Sequence, residues 1–81
     1  MKLDIRLFAT LKEHIGASTV TLEIAETGTV SDLLAELLRL YPNLQPFKKN
    51  IIVSINQEFT SLEKQILPGD EIALFPPVSG G

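Results

Sequence analysis

The sequence predicts an α+β domain in which one main helix packs across one face of a mixed β-sheet. Three observations carry that prediction. Two segments near the N-terminus alternate polar and apolar residues at strand period. One central segment repeats apolar residues at helical spacing. Two further apolar runs, each bounded by turn residues, follow it. With 81 residues, 44% of them hydrophobic, the chain has room for one domain with one modest core.

In the first strand, Leu3, Ile5 and Leu7 alternate with Lys2, Asp4 and Arg6, so one face is buried. Thr10-Leu11-Lys12-Glu13 then reads as a capping box opening a helix of one or two turns. Gly16 stands where a left-handed C-terminal residue would end it. Val20, Leu22 and Ile24 alternate with Thr19, Thr21 and Glu23, and the short connection predicts antiparallel pairing with the first strand. Thr29 is the expected N-cap of the main helix, with Asp32 three residues on. Val30, Leu33, Leu34, Leu37, Leu38 and Tyr41 form one apolar stripe; Ser31, Glu36 and Arg39 lie outside it. Pro42 stops the helix, and a loop is expected from Asn43 to Asn50.

Ile51 to Ile55 is the most apolar strand and so the best candidate for the sheet interior. Asn56-Gln57 is a turn, and Phe59 to Ile66 is expected to be irregular, with at most a short edge strand. Leu67-Pro68-Gly69-Asp70 suits a type II turn. In the last strand, Glu71 to Phe75, Ile72 and Leu74 point to the core while Ala73 and Phe75 point away. Crossover handedness sends the long helix across one face, giving the β-grasp, or ubiquitin-like, arrangement over residues 1–75. Residues 76–81 are expected to form an extended C-terminal tail.

Composition removes several function classes. With no cysteine, a disulfide framework, a thiolate metal site and a cysteine nucleophile are excluded. The lone His14, beside a helix end, and the scattered Glu13, Glu63, Asp70 and Glu71 make no metal-ligand spacing and no acid–base pair, so no metal is expected. Net charge is −3, and the small basic cluster Lys48-Lys49, with Arg39 near it, is no basic stripe. No nucleic acid partner is expected. No apolar run approaches the roughly 18 residues of a membrane span, and the N-terminus lacks a signal-peptide core. The expectation is a cytoplasmic protein with no membrane partner.

The tail is where chemistry can sit. Pro76-Pro77 favours an extended exit from the last strand. Val78-Ser79-Gly80-Gly81 can then reach roughly 13 Å, at about 3.3 Å per residue. Two terminal glycines would place a carboxylate with no side chain near it, able to thread a narrow channel in another protein. Such a carboxylate is activated by attack on the α-phosphate of ATP, giving an acyl adenylate that a sulfur or amine nucleophile displaces. Phe75 at the root of the tail and Phe8 on the first strand both face outward. If those strands are neighbours, the rings make one apolar docking patch. The alternative is that the loop around Phe47 or Phe59 buries Phe75.

The segment Leu67-Pro68-Gly69-Asp70-Glu71-Ile72-Ala73-Leu74-Phe75-Pro76-Pro77-Val78-Ser79-Gly80-Gly81 closely resembles the end of the MoaD family, the small subunits of molybdopterin synthase. Ile5-Arg6-Leu7-Phe8-Ala9, Leu11-Lys12-Glu13 and the helix from Val30 are also similar to that family. The resemblance implies a sulfur carrier. An adenylating enzyme of the MoeB type uses ATP to make an acyl adenylate at Gly81, and a sulfur donor protein converts it to a thiocarboxylate. The carrier then joins a large subunit of the MoaE type in a heterotetramer, where sulfur passes to cyclic pyranopterin monophosphate to build the dithiolene. By position, Val78, Ser79 and Gly80 would line the partner's channel, and Phe75, Phe8, Pro76 and Pro77 would dock. No cofactor is expected on this chain itself. Other readings stay open: a carrier for thiazole synthesis or tRNA thiolation, a ubiquitin-like protein modifier, and a passive interaction module. The Phe-Pro-Pro run favours the molybdopterin role over the thiazole role.

Overall fold

A computed structural model describes residues 1–77. It contains five strands: β1 Lys2–Leu7, β2 Thr19–Glu23, β3 Ile52–Ile55, β4 Glu58–Phe59 and β5 Ile72–Phe75. Two α-helices, α1 Ala9–Ile15 and α2 Val30–Leu40, and a 3₁₀ segment, Pro42–Phe47, complete the architecture. The strands form one sheet in the order β2-β1-β5-β3-β4. β1 pairs antiparallel with β2, as the short connection requires, and parallel with β5. β3 pairs antiparallel with β5 and β4. β2 and β3 therefore run in the same direction, and α2 is the crossover between them. This is the β-grasp arrangement.

The alternation in each strand decides which residues meet α2. Leu3, Ile5, Leu7, Val20, Leu22, Val53, Ile55, Ile72 and Leu74 are all buried, and so are Val30, Leu33, Leu34, Leu37 and Leu38 of α2. A fully buried leucine contributes about 1.5–3 kcal/mol by leaving water, so this interface dominates the stability. Thr29 caps α2 as expected. Its hydroxyl accepts from the Asp32 N–H (3.4 Å), and the Asp32 carboxylate accepts from the Thr29 N–H (2.9 Å). Tyr41 falls just past the helix and packs half-buried against the core.

Both predicted turns form. Asn56 and Gln57 have φ of 54° and 71°, both left-handed, as a type I′ hairpin loop requires. Gly69 has φ of +87° and the Asp70 N–H donates to the Leu67 carbonyl (3.1 Å), as expected for the type II turn. An Asn56 amide clips the two turns together. Its Nδ2 donates to Asp70 (3.0 Å), and its Oδ1 accepts from the Glu71 N–H (3.0 Å).

Two expectations need correction. α1 has no Thr10 capping box: it starts at Ala9, with Phe8 at the N-cap and no side-chain cap. The Phe8 N–H donates to Leu74 of β5 (3.2 Å) and its carbonyl accepts from the Leu11 N–H (3.2 Å), so sheet pairing sets the start of the helix. Gly16 does end α1, at φ +82°. The loop after Pro42 is instead a 3₁₀ segment that buries Leu44 completely, and proline at its start suits that geometry. After the short strand β4, the stretch up to Ile66 is irregular, as expected, and it is anchored. Ile66 is fully buried, and its N–H donates to the Gly28 carbonyl (3.0 Å).

Candidate functional site

Parallel pairing of β1 with β5 places Leu7 opposite Leu74, so Phe8 and Phe75 leave the sheet side by side at one end. Their rings stack, with centroids 4.7 Å apart and planes 11° from parallel. Both are half-buried. Stacked aromatic pairs are worth about 0.5–1.5 kcal/mol beyond their buried area. The two phenylalanines form one patch on the sheet face opposite α2, because Leu74 occupies the core side of β5 and Phe75 the other.

Two residues extend this face beyond the sequence expectation. Phe59 of β4 meets Phe75 edge to face, with centroids 6.4 Å apart, and is 77% exposed. It flanks Phe75 without burying it. The Arg6 guanidinium lies 5.5 Å from the Phe8 ring centroid, a cation–π distance that puts positive charge at the rim. No local signal marks Phe59 or Arg6: the hairpin carries one to the patch, and strand pairing carries the other. Phe47, the other residue that could have covered Phe75, sits edge to face with His14 (4.9 Å). It lines a shallow hollow with Phe8, Phe75, Pro76 and Pro77.

β5 therefore delivers Pro76 and Pro77, both half-buried, directly to the aromatic face. Val78, Ser79, Gly80 and Gly81, the expected tail in a partner's channel and its reacting end, lie outside the described residues. Among the described residues, no group of His, Asp and Glu is arranged to hold a metal ion. No described helix is long and apolar enough to cross a membrane. His14, exposed on α1, hydrogen-bonds the Thr10 carbonyl through Nδ1 (2.8 Å).

A β-grasp sheet with an aromatic face at the root of its C-terminal segment defines a ubiquitin-like protein. Comparison with known proteins narrows the class. Residues 5–81 match the ThiS family, and the chain belongs to it. It is similar to the molybdopterin synthase sulfur carrier subunit of Chlamydomonas reinhardtii, at 34% identity over 100% of both chains. The crystal structure of SAMP1 from Haloferax volcanii matches with a TM-score of 0.86 and 36% identity over 100% of both chains. The fold also matches, with a TM-score of 0.70, 23% identity and 100% coverage of both chains, a chain in the complex of subunits 1 and 2 of the molybdopterin-converting factor of Helicobacter pylori.

Proposed function

We propose that this chain is the sulfur carrier subunit of a molybdopterin synthase, with the carboxyl group of Gly81 as its reacting group. A single observation carries the reading: family similarity runs through the diglycine at residue 81, and the segment bearing it leaves β5 beside the stacked Phe8 and Phe75. In the proposed sequence, a Gly81 carboxylate oxygen attacks the α-phosphorus of ATP in an adenylating enzyme of the MoeB type, and pyrophosphate leaves. The terminal sulfur of a persulfide on a donor protein displaces AMP to give an acyl disulfide, and a second thiol cleaves its S–S bond, leaving a thiocarboxylate on Gly81 and a disulfide on the donor side. In a large subunit of the MoaE type, the thiocarboxylate sulfur bonds to cyclic pyranopterin monophosphate, and water then hydrolyses the acyl–sulfur bond, returning Gly81 to a carboxylate.

The chain's own contribution is positional. Phe8, Phe75 and Phe59 supply an apolar docking face, while Pro76 and Pro77 aim residues 78–81 into the partner's channel. Side chains of this protein need move no proton. The likeness to SAMP1 favours one second reading, in which the same activated Gly81 is passed to a lysine amine as a protein modifier.

Intact mass tests the proposal. After incubation with ATP, a family adenylating enzyme and a sulfur donor, the chain gains the mass difference between sulfur and oxygen. Addition of the large subunit and precursor then returns the original mass and yields the dithiolene product. Failure to gain that mass overturns the carrier reading; conjugates to lysine without dithiolene product select the modifier reading.

A further inference from the structure

The outer edge of β3 is only half covered. β4 pairs with Ser54 and Ile55 alone. Beyond it, the Thr60 N–H donates to the Val53 carbonyl (3.1 Å), and the chain then leaves the sheet. It is drawn away because the Leu62 and Lys64 carbonyls accept from Ser31 and Val30 at the start of α2 (3.0 and 2.9 Å). Neighbouring residues of a strand direct their backbone groups to opposite sides. The Asn56 N–H donates to Glu71, next to β5 (2.8 Å), so Ile51, Val53 and Ile55 face the outer edge. The Val53 N–H and both backbone groups of Ile51 have no backbone partner among the described residues. An edge of this kind is a template for pairing with another chain.

A groove runs beside that edge. Two adjoining hollows share Leu34, Lys48 and Leu62, and Ile51, Ile52 and Val53 line one wall. Leu62 is 51% exposed, so the groove offers apolar surface to a partner. Its charged lining residues are Arg39, Lys48 and Lys49, with no acid among them, on a chain of net charge −3. Arg39 is paired with Glu36, which raises its pKa and commits its charge. The two lysines are exposed and form no ion pair among the described residues.

We propose that this edge binds an extended segment of a partner protein as an added strand along Ile51–Val53, apolar at alternate positions and acidic at the end beside Lys48 and Lys49. The unpaired backbone groups call for an extended chain, the exposed Leu62 for apolar side chains, and the lysines for acidic ones. The site is separate from Phe8 and Phe75 and shares only Phe59 with their patch. It does not depend on Gly81 or on the sulfur-carrier reading.

The test titrates the isotope-labelled full chain with an end-blocked peptide Val-Thr-Val-Asp-Asp-Glu, followed by amide chemical shifts. Shifts are expected at Ile51, Val53, Leu62, Lys48 and Lys49, and not at Phe8. Lys48→Glu with Lys49→Glu, both exposed and neutral to folding, weakens binding about tenfold, in line with two exposed charge pairs. Proline at the central peptide position removes one pairing N–H and abolishes the shifts. Any of three results overturns the proposal: shifts centred on Phe8 and Phe75, binding unchanged by the double charge reversal, or no shift at millimolar peptide.

Discussion

Gln57 occupies a left-handed backbone position, φ 71°, that asks for glycine. A side chain there costs about 1–2 kcal/mol. Glycine would relieve it but loosens the unfolded chain by about 0.4–1 kcal/mol. Gln57→Gly is therefore expected to raise stability by roughly 0.5–1 kcal/mol in urea unfolding, with the sheet unchanged. Phe75 presents the opposite case. Its ring is half-buried against Phe8 and flanked by an exposed Phe59. Phe75→Ala should cost clearly less than the roughly 3–5 kcal/mol of a fully buried phenylalanine. The same change should sharply weaken binding to the adenylating enzyme and large subunit, measured by calorimetry. A variant that unfolds at room temperature would place Phe75 in the core and remove the docking role.

Among the elements, α2 joins the two halves of the sheet. Its stripe of Val30, Leu33, Leu34, Leu37 and Leu38 is buried in one core with the inward residues of β1, β5 and β3. Leu37 is fully buried at mid-stripe. Leu37→Ala should lower unfolding free energy by about 2–5 kcal/mol. For a domain of this size, a shift of about 4–8 °C in Tm per kcal/mol makes the loss plain in a thermal scan. A small effect would mean that the helix packs less closely on the sheet than the burial pattern shows. The 3₁₀ segment and the stretch before Leu67 plug the ends of this layer with Leu44 and Ile66, both completely buried.

For the whole molecule, the decisive fact is that the first and last described strands, β1 and β5, are neighbours at the centre of the sheet. β5, the last strand, lies between β1 and β3. Removing residues 71–81 leaves β1 and β3 without their shared partner, and cooperative unfolding should disappear. Removing Gly81 alone should leave Tm unchanged, because the described core closes at Leu74. It should also abolish the sulfur-for-oxygen mass gain. This pair of truncations separates the fold from the proposed function. A large stability loss on removing Gly81 would argue that the terminal segment serves packing.

Much of this protein was decided by neighbouring residues acting on one another. Alternation in Lys2–Leu7 and Thr19–Glu23, the stripe of α2, the Thr29–Asp32 cap and the Asn56-Gln57 and Pro68-Gly69 turns all formed where the residues called for them. Each depends on contacts a few residues apart, which a linear pattern records. Assembly across the chain decided the rest. Phe8 started α1 because β5 held its N–H, overriding the cap that Thr10 offered. Leu44 and Ile66 became core through the layer they plug, and no spacing in their own segments marks that fate. The same holds for the candidate site. Outward positions for Phe8 and Phe75 follow from strand period, but their stacking and the approach of Phe59 and Arg6 depend on which strands become neighbours. Local preference selects elements because it acts within a turn or a strand; strand order and surface patches arise only when distant segments share one buried core.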